Sequence, residues 1–244
     1  MMKKQWILPW VIGHRGACGY APENTLASIG KAQALGLSWI EVDVMLTQDN
    51  ELVIFHDESL ARTTNGKGKV RDVTLAYIKS LDAGSWFGDT FSGEKVPTLD
   101  ELLNYCRKLK MNVNLELKAC EGDEEILVKK VLEALKNESQ SSFLLSSFSM
   151  KTLYLLREKA CPFRLAANFE GWVEGWERIA KHIAAYSLHY PYEALTQARV
   201  DRVHAAGCCV LAYTVNTPEE SARLCALGVD ALFSDVGDKV ETCS

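Results

Sequence analysis

The alternation of short apolar runs with segments of helical period is the feature that most constrains the fold of this chain. Eight runs are predicted to be β-strands, at residues 10–14, 39–46, 112–118, 143–147, 164–169, 185–190, 209–215 and 231–235. Apolar strands that alternate with helices are typical of a parallel sheet covered by helices. Eight such units, without a linker or a shift in composition, predict a single α/β domain over residues 1–244, a (β/α)8 or TIM barrel.

Two helix starts support this interpretation. Thr98 is followed by Glu101, and Thr217 is followed by Pro218 and Glu220. A threonine three residues before a glutamate is the pattern of a capping box, and proline is favoured at the first position of a helix. We therefore expect helices to begin directly after Thr98 and Thr217.

Two segments depart from a plain repeat of strand and helix. Residues 57–97 separate the second strand from its helix by far more than the usual few residues. We expect them to form a small inserted subdomain after strand 2. The tail at residues 236–244, VGDKVETCS, is too short for a complete last helix.

Charge and hydropathy exclude several classes of partner. The formal net charge is −5, and no cluster of Lys and Arg exceeds a pair, which argues against a nucleic-acid surface and against a polybasic membrane patch. No apolar run approaches the length needed to cross a membrane, so we expect no membrane insertion. The expected partner is a small-molecule substrate, and the sequence leaves the oligomeric state unknown.

The cysteines and the first residues bear on the compartment. The eight cysteines are scattered and none is spaced as Cys-x-x-Cys, which favours reduced thiols over a disulfide framework or a structural zinc site. The opening MMKKQWILPWVIG has two lysines and a short apolar segment, but His14 follows at once with no cleavage site between them. We therefore predict a cytoplasmic protein.

Carboxylates inside two predicted strands point to a metal site. Glu41 and Asp43 are two residues apart and share one face of their strand, and Glu116 lies at an equivalent place in the strand at 112–118. Buried strands of a parallel sheet are normally apolar, so these charges break the local rule. Three converging carboxylates suit a hard divalent ion, Mg²⁺ or Ca²⁺. The alternative is a buried carboxylate and lysine network that only fixes the strand register.

Histidines and cations flank the same end of the predicted barrel. His14 and Arg15 end the first strand, and Lys118 ends the strand that carries Glu116. If the chain reverses between residues 49 and 50, His56 lies across from Asp43, although a slip of one residue would change that position. Two histidines next to two cations make an acid/base pair beside an anion site, with phosphate as the expected anion.

The same stretches resemble the glycerophosphodiester phosphodiesterases, most closely the bacterial cytosolic branch. The blocks that carry the resemblance are HRGACGYAPENTLASI, IEVDVMLTQDNELVIFHDESLARTTNGKG, LDAGSWF, VPTLDELL, NVNLELK, LLSSF, YTVNTPEE and GVDALFSD. They occur in the order of that family and span nearly the whole chain. The resemblance implies a TIM barrel with a small insertion after strand 2, and metal-dependent hydrolysis of substrates such as glycerophosphocholine or glycerophosphoethanolamine to sn-glycerol 3-phosphate and an alcohol.

The resemblance also implies roles for individual residues. The positions that match the family are a divalent metal site at Glu41, Asp43 and Glu116, catalytic histidines at His14 and His56, and phosphate contacts at Arg15 and Lys118. Which histidine is the base, which alcohol leaves, and whether the metal is Mg²⁺ or Ca²⁺ all stay open.

Four further residues are possible substrate contacts, each with an alternative structural role. Tyr213 stands where the family often has tryptophan, and an inward aromatic side chain there can equally be core. His189 and Phe148 fall at strand ends, and His189 can equally be a hydrogen-bonded core residue. Trp86 lies in the insertion, where it can cover the site or pack the insertion on the barrel.

Two other functions remain as alternatives. The first is a barrel enzyme of the phospholipase C or D kind that cleaves intact phospholipid, which should carry exposed apolar loops and an export signal. The second is a barrel that binds glycerophosphodiesters without catalysis, which would not need both His14 and His56.

Overall fold

The strands of the protein form one sheet. The computed structural model describes residues 8–240 and residue 243. Within these residues the strands are β1 (Val11–Gly13), β2 (Trp39–Leu46), β3 (Leu52–Ile54), β4 (Asn112–Leu117), β5 (Phe143–Ser147), β6 (Arg164–Asn168), β7 (Ser187–Pro191), β8 (Cys209–Tyr213) and β9 (Ala231–Ser234). Every strand predicted from the sequence overlaps one of these, with ends that differ by two residues at most.

The sheet closes into a barrel. The strand order is β1-β9-β8-β7-β6-β5-β4-β2, all parallel, and β1 also pairs with β2. The closure is made by Val11 opposite Leu232 in β9 and by Gly13 opposite Ile40 in β2. The predicted eight-stranded (β/α)8 barrel is therefore confirmed, and all eight strands point their carboxyl ends to one mouth.

Helices cover the outside of the barrel. They are α1 (Leu26–Ala34), α2 (Leu75–Ser80), α3 (Leu99–Leu109), α4 (Glu124–Ala134), α5 (Met150–Glu158), α6 (Trp176–Ile183), α7 (Gln197–Ala205) and α8 (Pro218–Ala226). Thr98 and Glu101 form the predicted capping box of α3. The Thr217 side chain accepts the Glu220 N–H, and Pro218 is the first residue of α8. These caps satisfy backbone groups that a helix leaves free at its start.

The two faces of β2 separate the core from the barrel interior. Ile40, Val42 and Val44 are fully buried in the apolar layer between barrel and helices. Glu41 and Asp43 alternate with them and point inward. Each buried Val or Ile stabilises the fold by roughly 1.5–3 kcal/mol. This burial fixes the register of β2 and so directs its two carboxylates into the barrel.

Strand β3 was not predicted, and it corrects the expected position of His56. It pairs antiparallel with β2, with Val44 opposite Ile54, and the Phe55 N–H donates to the Asp43 carbonyl at 3.0 Å. The prediction that His56 lies across from Asp43 was therefore wrong by one residue. The hairpin turns through Asn50, which has a positive φ of 59°, so the loop is not symmetric about residues 49 and 50.

The segment after β3 has little regular structure and an apolar cluster of its own. It contains α2 and two 3-10 helices, Val70–Asp72 and Asp89–Phe91. Its buried side chains include Leu60, Val70, Ile78, Leu81 and Val96, which pack on Met45, Val53 and Phe55. This cluster is separate from the main core, and we propose that residues 57–97 are an inserted subdomain of one barrel domain.

The cysteines correct one expectation. Cys225 in α8 is joined to Cys243 by a disulfide, so the prediction that all the thiols are reduced was wrong for this pair. Six cysteines are free, at positions 18, 106, 120, 161, 208 and 209. The scattered spacing gave no sign of the pairing, because the two cysteines are 18 positions apart and belong to no common motif. Among the described residues, no helix is long and apolar enough to span a membrane.

Candidate active site

The mouth of the barrel holds a cavity lined with charged and aromatic groups. Its volume is about 250 Å³. The residues that line it are His14, Arg15, Glu41, Asp43, His56, Asn114, Glu116, Phe148, Asn168, His189, Tyr213, Thr214 and Phe233. Most of these residues lie at the carboxyl ends of strands, which is where barrel enzymes place their active sites.

Three buried carboxylates converge in this cavity. Glu41, Asp43 and Glu116 each offer an oxygen, and these oxygens lie within 4.8 Å of one another. Asp43 is opposite Glu116 in the pairing of β2 with β4. Burial, followed by the charges of Asp43 and Glu116, raises the pKa of Glu41 well above its usual value. Burial and the charge of Asp43 raise the pKa of Glu116 to about 7. The cluster is thus electrostatically unfavourable without a cation.

The donors around the carboxylates hold them in place but leave oxygens for an ion. The Arg15 N–H donates to Glu41 at 3.0 Å, and the Asn24 amide donates to Asp43 at 2.9 Å. The Asn168 amide donates to Glu116 at 3.0 Å. An oxygen-only donor set of this kind fits a hard divalent ion such as Mg²⁺ or Ca²⁺.

Two cations flank the carboxylates. Lys118 Nζ lies 3.3 Å from Glu116 and 3.6 Å from Asp43. Arg15 Nε lies 3.8 Å from Asp43 and has no hydrogen-bond partner although it is buried. Burial opposes the charge of Arg15, but Asp43, Glu23 and Glu41 outweigh it and raise its pKa. Arg15 therefore keeps a charged donor free to receive an anion.

His14 is held by a carboxylate from the other end of the chain. Its Nδ1 lies 2.6 Å from Asp235 Oδ1, and its Nε2 lies 4.0 Å from Glu41. The hydrogen bond from Asn216 at 2.7 Å also fixes the Asp235 carboxylate. Burial alone would raise the pKa of Asp235, but its bonds to His14 and Cys18 lower it. A carboxylate on one ring nitrogen sets the orientation of the imidazole.

His56 has a matching arrangement across the cavity. Its Nδ1 lies 2.6 Å from Asp57 Oδ1. Burial lowers the pKa of His56, and the charges of Arg15 and Lys118 act in the same direction, against Asp43. Its surroundings therefore favour the neutral imidazole. Each histidine thus has one nitrogen bound to a carboxylate.

Arg62 links the carboxylate that binds His56 to the carboxylate that binds Arg15. Its Nε donates to Asp57 at 2.6 Å, and its terminal nitrogens donate to Glu23 at 2.6 and 2.8 Å. Glu23 in turn accepts from Arg15 Nη1 at 2.7 Å. Through these two carboxylates Arg62 restrains the partner of His56 and the partner of Arg15 together.

The four predicted substrate contacts are placed differently. Phe148 and Tyr213 line the cavity, with ring centroids 6.1 Å apart, and the Tyr213 hydroxyl donates to the Phe169 carbonyl at 2.5 Å. His189 lies deep in the cavity wall, 1% exposed, and bonds Ser187 at 2.9 Å. Trp86 is 41% exposed, donates to the Ala83 carbonyl, and is not part of the cavity lining. The structure does not bring Trp86 to the site.

The environment of His189 predicts an effect of pH on stability. Burial lowers its pKa to about 3, so the folded protein excludes a proton that the unfolded chain takes up below about pH 6.5. This contribution therefore destabilises the fold as the pH falls below 6.5, by about 2 kcal/mol at pH 5. Between pH 7 and pH 5, the free energy of unfolding of the wild type should fall further than that of His189→Gln, by about this amount. Urea unfolding of both proteins at the two pH values measures the difference. An equal loss in both proteins would contradict the assignment.

The sequence missed the residues that hold the catalytic candidates in place. These are Asn24, Asp57, Arg62, Asn168 and Asp235. Only Asp57 gave a local signal, since it adjoins His56. The others come from loops and strands distant in sequence, so their contacts depend on how the barrel closes.

Comparison with known proteins shows the family. Residues 14–239 match the model of the glycerophosphoryl diester phosphodiesterase family. This chain belongs to that family. The predicted resemblance and the expected enzyme class are therefore confirmed, and the roles of the individual site residues stay predictions.

Relatives of known structure and name agree with this membership. A glycerophosphodiester phosphodiesterase of Caldanaerobacter subterraneus subsp. tengcongensis is 37% identical over 92% of this chain and 93% of that protein. One from Bacillus subtilis is 34% identical over 93% of this chain and 83% of that protein. The structure of an Oleispira antarctica phosphodiesterase in complex with the product sn-glycerol-3-phosphate superposes with a TM-score of 0.92, at 39% identity, covering 95% of this chain and 94% of that one.

Proposed function

We propose that the chain hydrolyses glycerophosphodiesters, such as glycerophosphocholine or glycerophosphoethanolamine, to sn-glycerol 3-phosphate and an alcohol. The observation that carries the proposal is the meeting, in one cavity, of three carboxylates, two carboxylate-bound histidines and the Arg15 guanidinium. The Oleispira antarctica relative, which was solved with sn-glycerol-3-phosphate, supports the choice of product.

A divalent metal is part of the proposal. Glu41, Asp43 and Glu116 would hold Mg²⁺ or Ca²⁺, and the ion would offset the negative charge that develops on the phosphoryl oxygens. The burial of these carboxylates and the raised pKa values of Glu41 and Glu116 support this assignment, because a bound cation removes their repulsion.

Arg15 and Lys118 are assigned to the phosphate. The Arg15 Nε has no hydrogen-bond partner in its buried position, and the Lys118 ammonium lies beside Asp43 and Glu116. Both cations can donate to phosphate oxygens and hold the diester with its phosphorus next to the carboxylate cluster. Their charge also offsets part of the negative charge of the carboxylates before the substrate arrives.

His14 and His56 are assigned to proton transfer. One imidazole would accept the proton of the glycerol 2-hydroxyl as its oxygen bonds to phosphorus, and the other would donate a proton to the departing alcohol oxygen. Water would then open the resulting cyclic phosphate to glycerol 3-phosphate, with the two histidines in reversed roles. Asp235 and Asp57 each bind the Nδ1 of one histidine at 2.6 Å, which leaves Nε2 of each ring for the substrate. In this proposal the phosphodiester would lie between the two oriented imidazoles.

A water-soluble diester is favoured over intact phospholipid, and the cytoplasm over an oxidising compartment. The curated relatives quoted above carry the name glycerophosphodiester phosphodiesterase. A cytoplasmic location is part of the proposal because six of the eight cysteines are free. The Cys225–Cys243 disulfide is the observation that opposes it. Cell fractionation with immunoblotting tests this location, and recovery of the protein outside the cytoplasm would contradict it.

A coupled assay for glycerol 3-phosphate tests the proposal. The purified chain is incubated with glycerophosphocholine in chelator, in Mg²⁺ and in Ca²⁺. Phosphatidylcholine micelles are tested in parallel by the release of choline and phosphocholine, because cleavage of the intact lipid gives no glycerol 3-phosphate. We expect release from the soluble diester with at least one of the ions and none in chelator. Turnover confined to micelles would favour a phospholipid-cleaving enzyme instead, and tight binding of glycerophosphocholine without turnover would favour a binding protein.

Arg62 is predicted to be a positioning residue for this reaction. Arg62→Gln removes the donors that hold Asp57 and Glu23, so His56 and Arg15 lose their common restraint. We expect kcat/KM to fall by about 10- to 100-fold, mostly through kcat. Arg62→Lys keeps the charge but not the forked geometry, and should recover part of the rate.

Lys69→Gln is the matched control for Arg62. It lies in the same segment and breaks an exposed ion pair with Glu58, 3.0 Å long. Such pairs contribute little to stability. If Arg62→Gln and Lys69→Gln had equal kcat/KM values, Arg62 would not be a positioning residue.

A further inference from the structure

A second group of metal-binding atoms lies on the other side of His14. His14, Cys18 and Asp235 each offer one ligand atom, and these atoms lie within 4.8 Å of one another. The Cys18 Sγ lies 2.8 Å from Asp235 Oδ1 and 4.0 Å from His14 Nδ1. These three residues come from the loops that follow β1 and β9. We call them the His-Cys-Asp cluster.

The barrel itself holds this cluster together. Strands β1 and β9 are paired, with Gly13 opposite Ser234, so the loops after them start side by side. The Gly19 N–H donates to the Asp235 carbonyl at 3.0 Å, which fastens the first loop to the second. The three side chains are therefore positioned by neighbouring backbone, as the ligands of a preformed site need to be.

The donor set differs in kind from that of the three carboxylates. It combines an imidazole nitrogen, a sulfur and a carboxylate oxygen, which is the selection that Zn²⁺ prefers and Mg²⁺ does not. Zinc ligands lie about 2.0–2.3 Å from the ion, so the ligand atoms of a tetrahedral site are about 3–4 Å apart. The present spacings need only a small movement of Asp235 away from His14 and Cys18.

The contacts within the cluster allow a metal ion to take the place of its protons. The Asp235 carboxylate now accepts hydrogen bonds from both Cys18 and His14. A cation placed between the three groups would replace both hydrogen bonds. The Cys18 thiol would release its proton to water, and the proton of His14 Nδ1 would move to Nε2. The side chains of His14 and Asp235 are 21% and 28% exposed, so water can reach the fourth ligand position.

We propose that the His-Cys-Asp cluster is an inhibitory site for Zn²⁺ or a similar borderline divalent ion. Binding of the ion would hold His14 through Nδ1 and break the hydrogen bond with Asp235 that orients the ring. His14 could then no longer exchange protons with substrate in its normal position. The binding itself is independent of the catalytic assignment, whereas the inhibition rests on the proposed function of His14.

Cobalt is the probe for the binding, because a thiolate bound to Co²⁺ absorbs in the near ultraviolet. Co²⁺ is added to the purified chain in excess Mg²⁺, which occupies hard oxygen sites. We expect one equivalent of Co²⁺ to give a thiolate charge-transfer band in the wild type and in Cys120→Ser, and no band in Cys18→Ser. A wild type without the band, or a Cys18→Ser variant that keeps it, would overturn the site.

Inhibition is measured separately with Zn²⁺ against a saturating concentration of Mg²⁺. Each variant is compared with its own rate in the absence of zinc. We expect Cys18→Ser to need about tenfold more Zn²⁺ for half inhibition than the wild type or Cys120→Ser. Equal sensitivity would show that zinc acts elsewhere and would overturn the inhibitory role. If the purified chain showed no turnover, the proposed function would be contradicted, whereas the cobalt spectra would still test the binding of the metal.

Discussion

Replacing His14 by alanine is expected to lower the rate of glycerol 3-phosphate release by about a thousandfold. Transfer of a proton by a positioned side chain contributes roughly 10²- to 10⁴-fold to a reaction rate, and the ring of His14 is oriented by Asp235 at 2.6 Å. The loss should appear in kcat more than in KM, because the proposed phosphate contacts, Arg15 and Lys118, are unchanged. The measurement is the steady-state release of glycerol 3-phosphate from glycerophosphocholine with saturating metal.

Two other histidine variants are compared with His14→Ala. His182→Ala is the matched control, because His182 is exposed on α6 and its ring contacts Tyr154 rather than the cavity. His56→Ala should show a loss of the same order as His14→Ala. If His14→Ala kept more than about a tenth of the wild-type rate while remaining folded, His14 would have no part in proton transfer.

Replacing Glu41 by glutamine is expected to separate stability from activity. The raised pKa of Glu41 means that the folded protein without metal resists ionisation of this group. Its contribution to stability is therefore lost as the pH rises above its unfolded pKa of about 4.3. Glutamine removes that charge, and its amide oxygen can still accept the Arg15 N–H. We expect the metal-free protein to become more stable at pH 7, and the activity to fall by at least about a hundredfold.

Thermal unfolding with and without metal measures the change in stability and the response of the protein to the ion. In the wild type, Mg²⁺ or Ca²⁺ should raise the melting temperature, because an ion that binds only the folded state stabilises it. Glu41→Gln should melt higher than the wild type in chelator and respond little to either ion. Glu51→Gln is a suitable control, because Glu51 is exposed and forms one surface pair with Lys130. A Glu41→Gln protein less stable than the wild type in chelator would contradict the repulsion among the three carboxylates.

The barrel and its carboxylates could be predicted because both follow from the local pattern. The buried strand WIEVDVML places Glu41 and Asp43 on the face opposite Val42 and Val44, and strand periodicity alone decides this. Glu116 follows from the same alternation in β4. A charge inside an apolar strand is costly, so its presence already indicated a site.

The rest of the site depends on contacts that no local pattern describes. The register of β3 differs by one residue from the symmetric hairpin because the turn has its own geometry at Asn50. Arg62 reaches Glu23 across 39 positions of sequence, and nothing in the sequence of either segment identifies the other. The disulfide joins Cys225 to a cysteine 18 positions further along the chain, and no periodic pattern in the sequence links the two.

The pairing of the first strand with the last also has a consequence for the life of the chain in the cell. His14 and Asp235 are 221 positions apart, and β9 must enter the sheet before the two side chains can meet. A nascent chain still held in the ribosomal exit tunnel, or a fragment cut short before β9, would contain His14, His56 and all three carboxylates without an oriented His14. Under the proposed role of His14, such copies would hydrolyse phosphodiesters poorly, and efficient hydrolysis would begin only after β9 has joined the sheet beside β1.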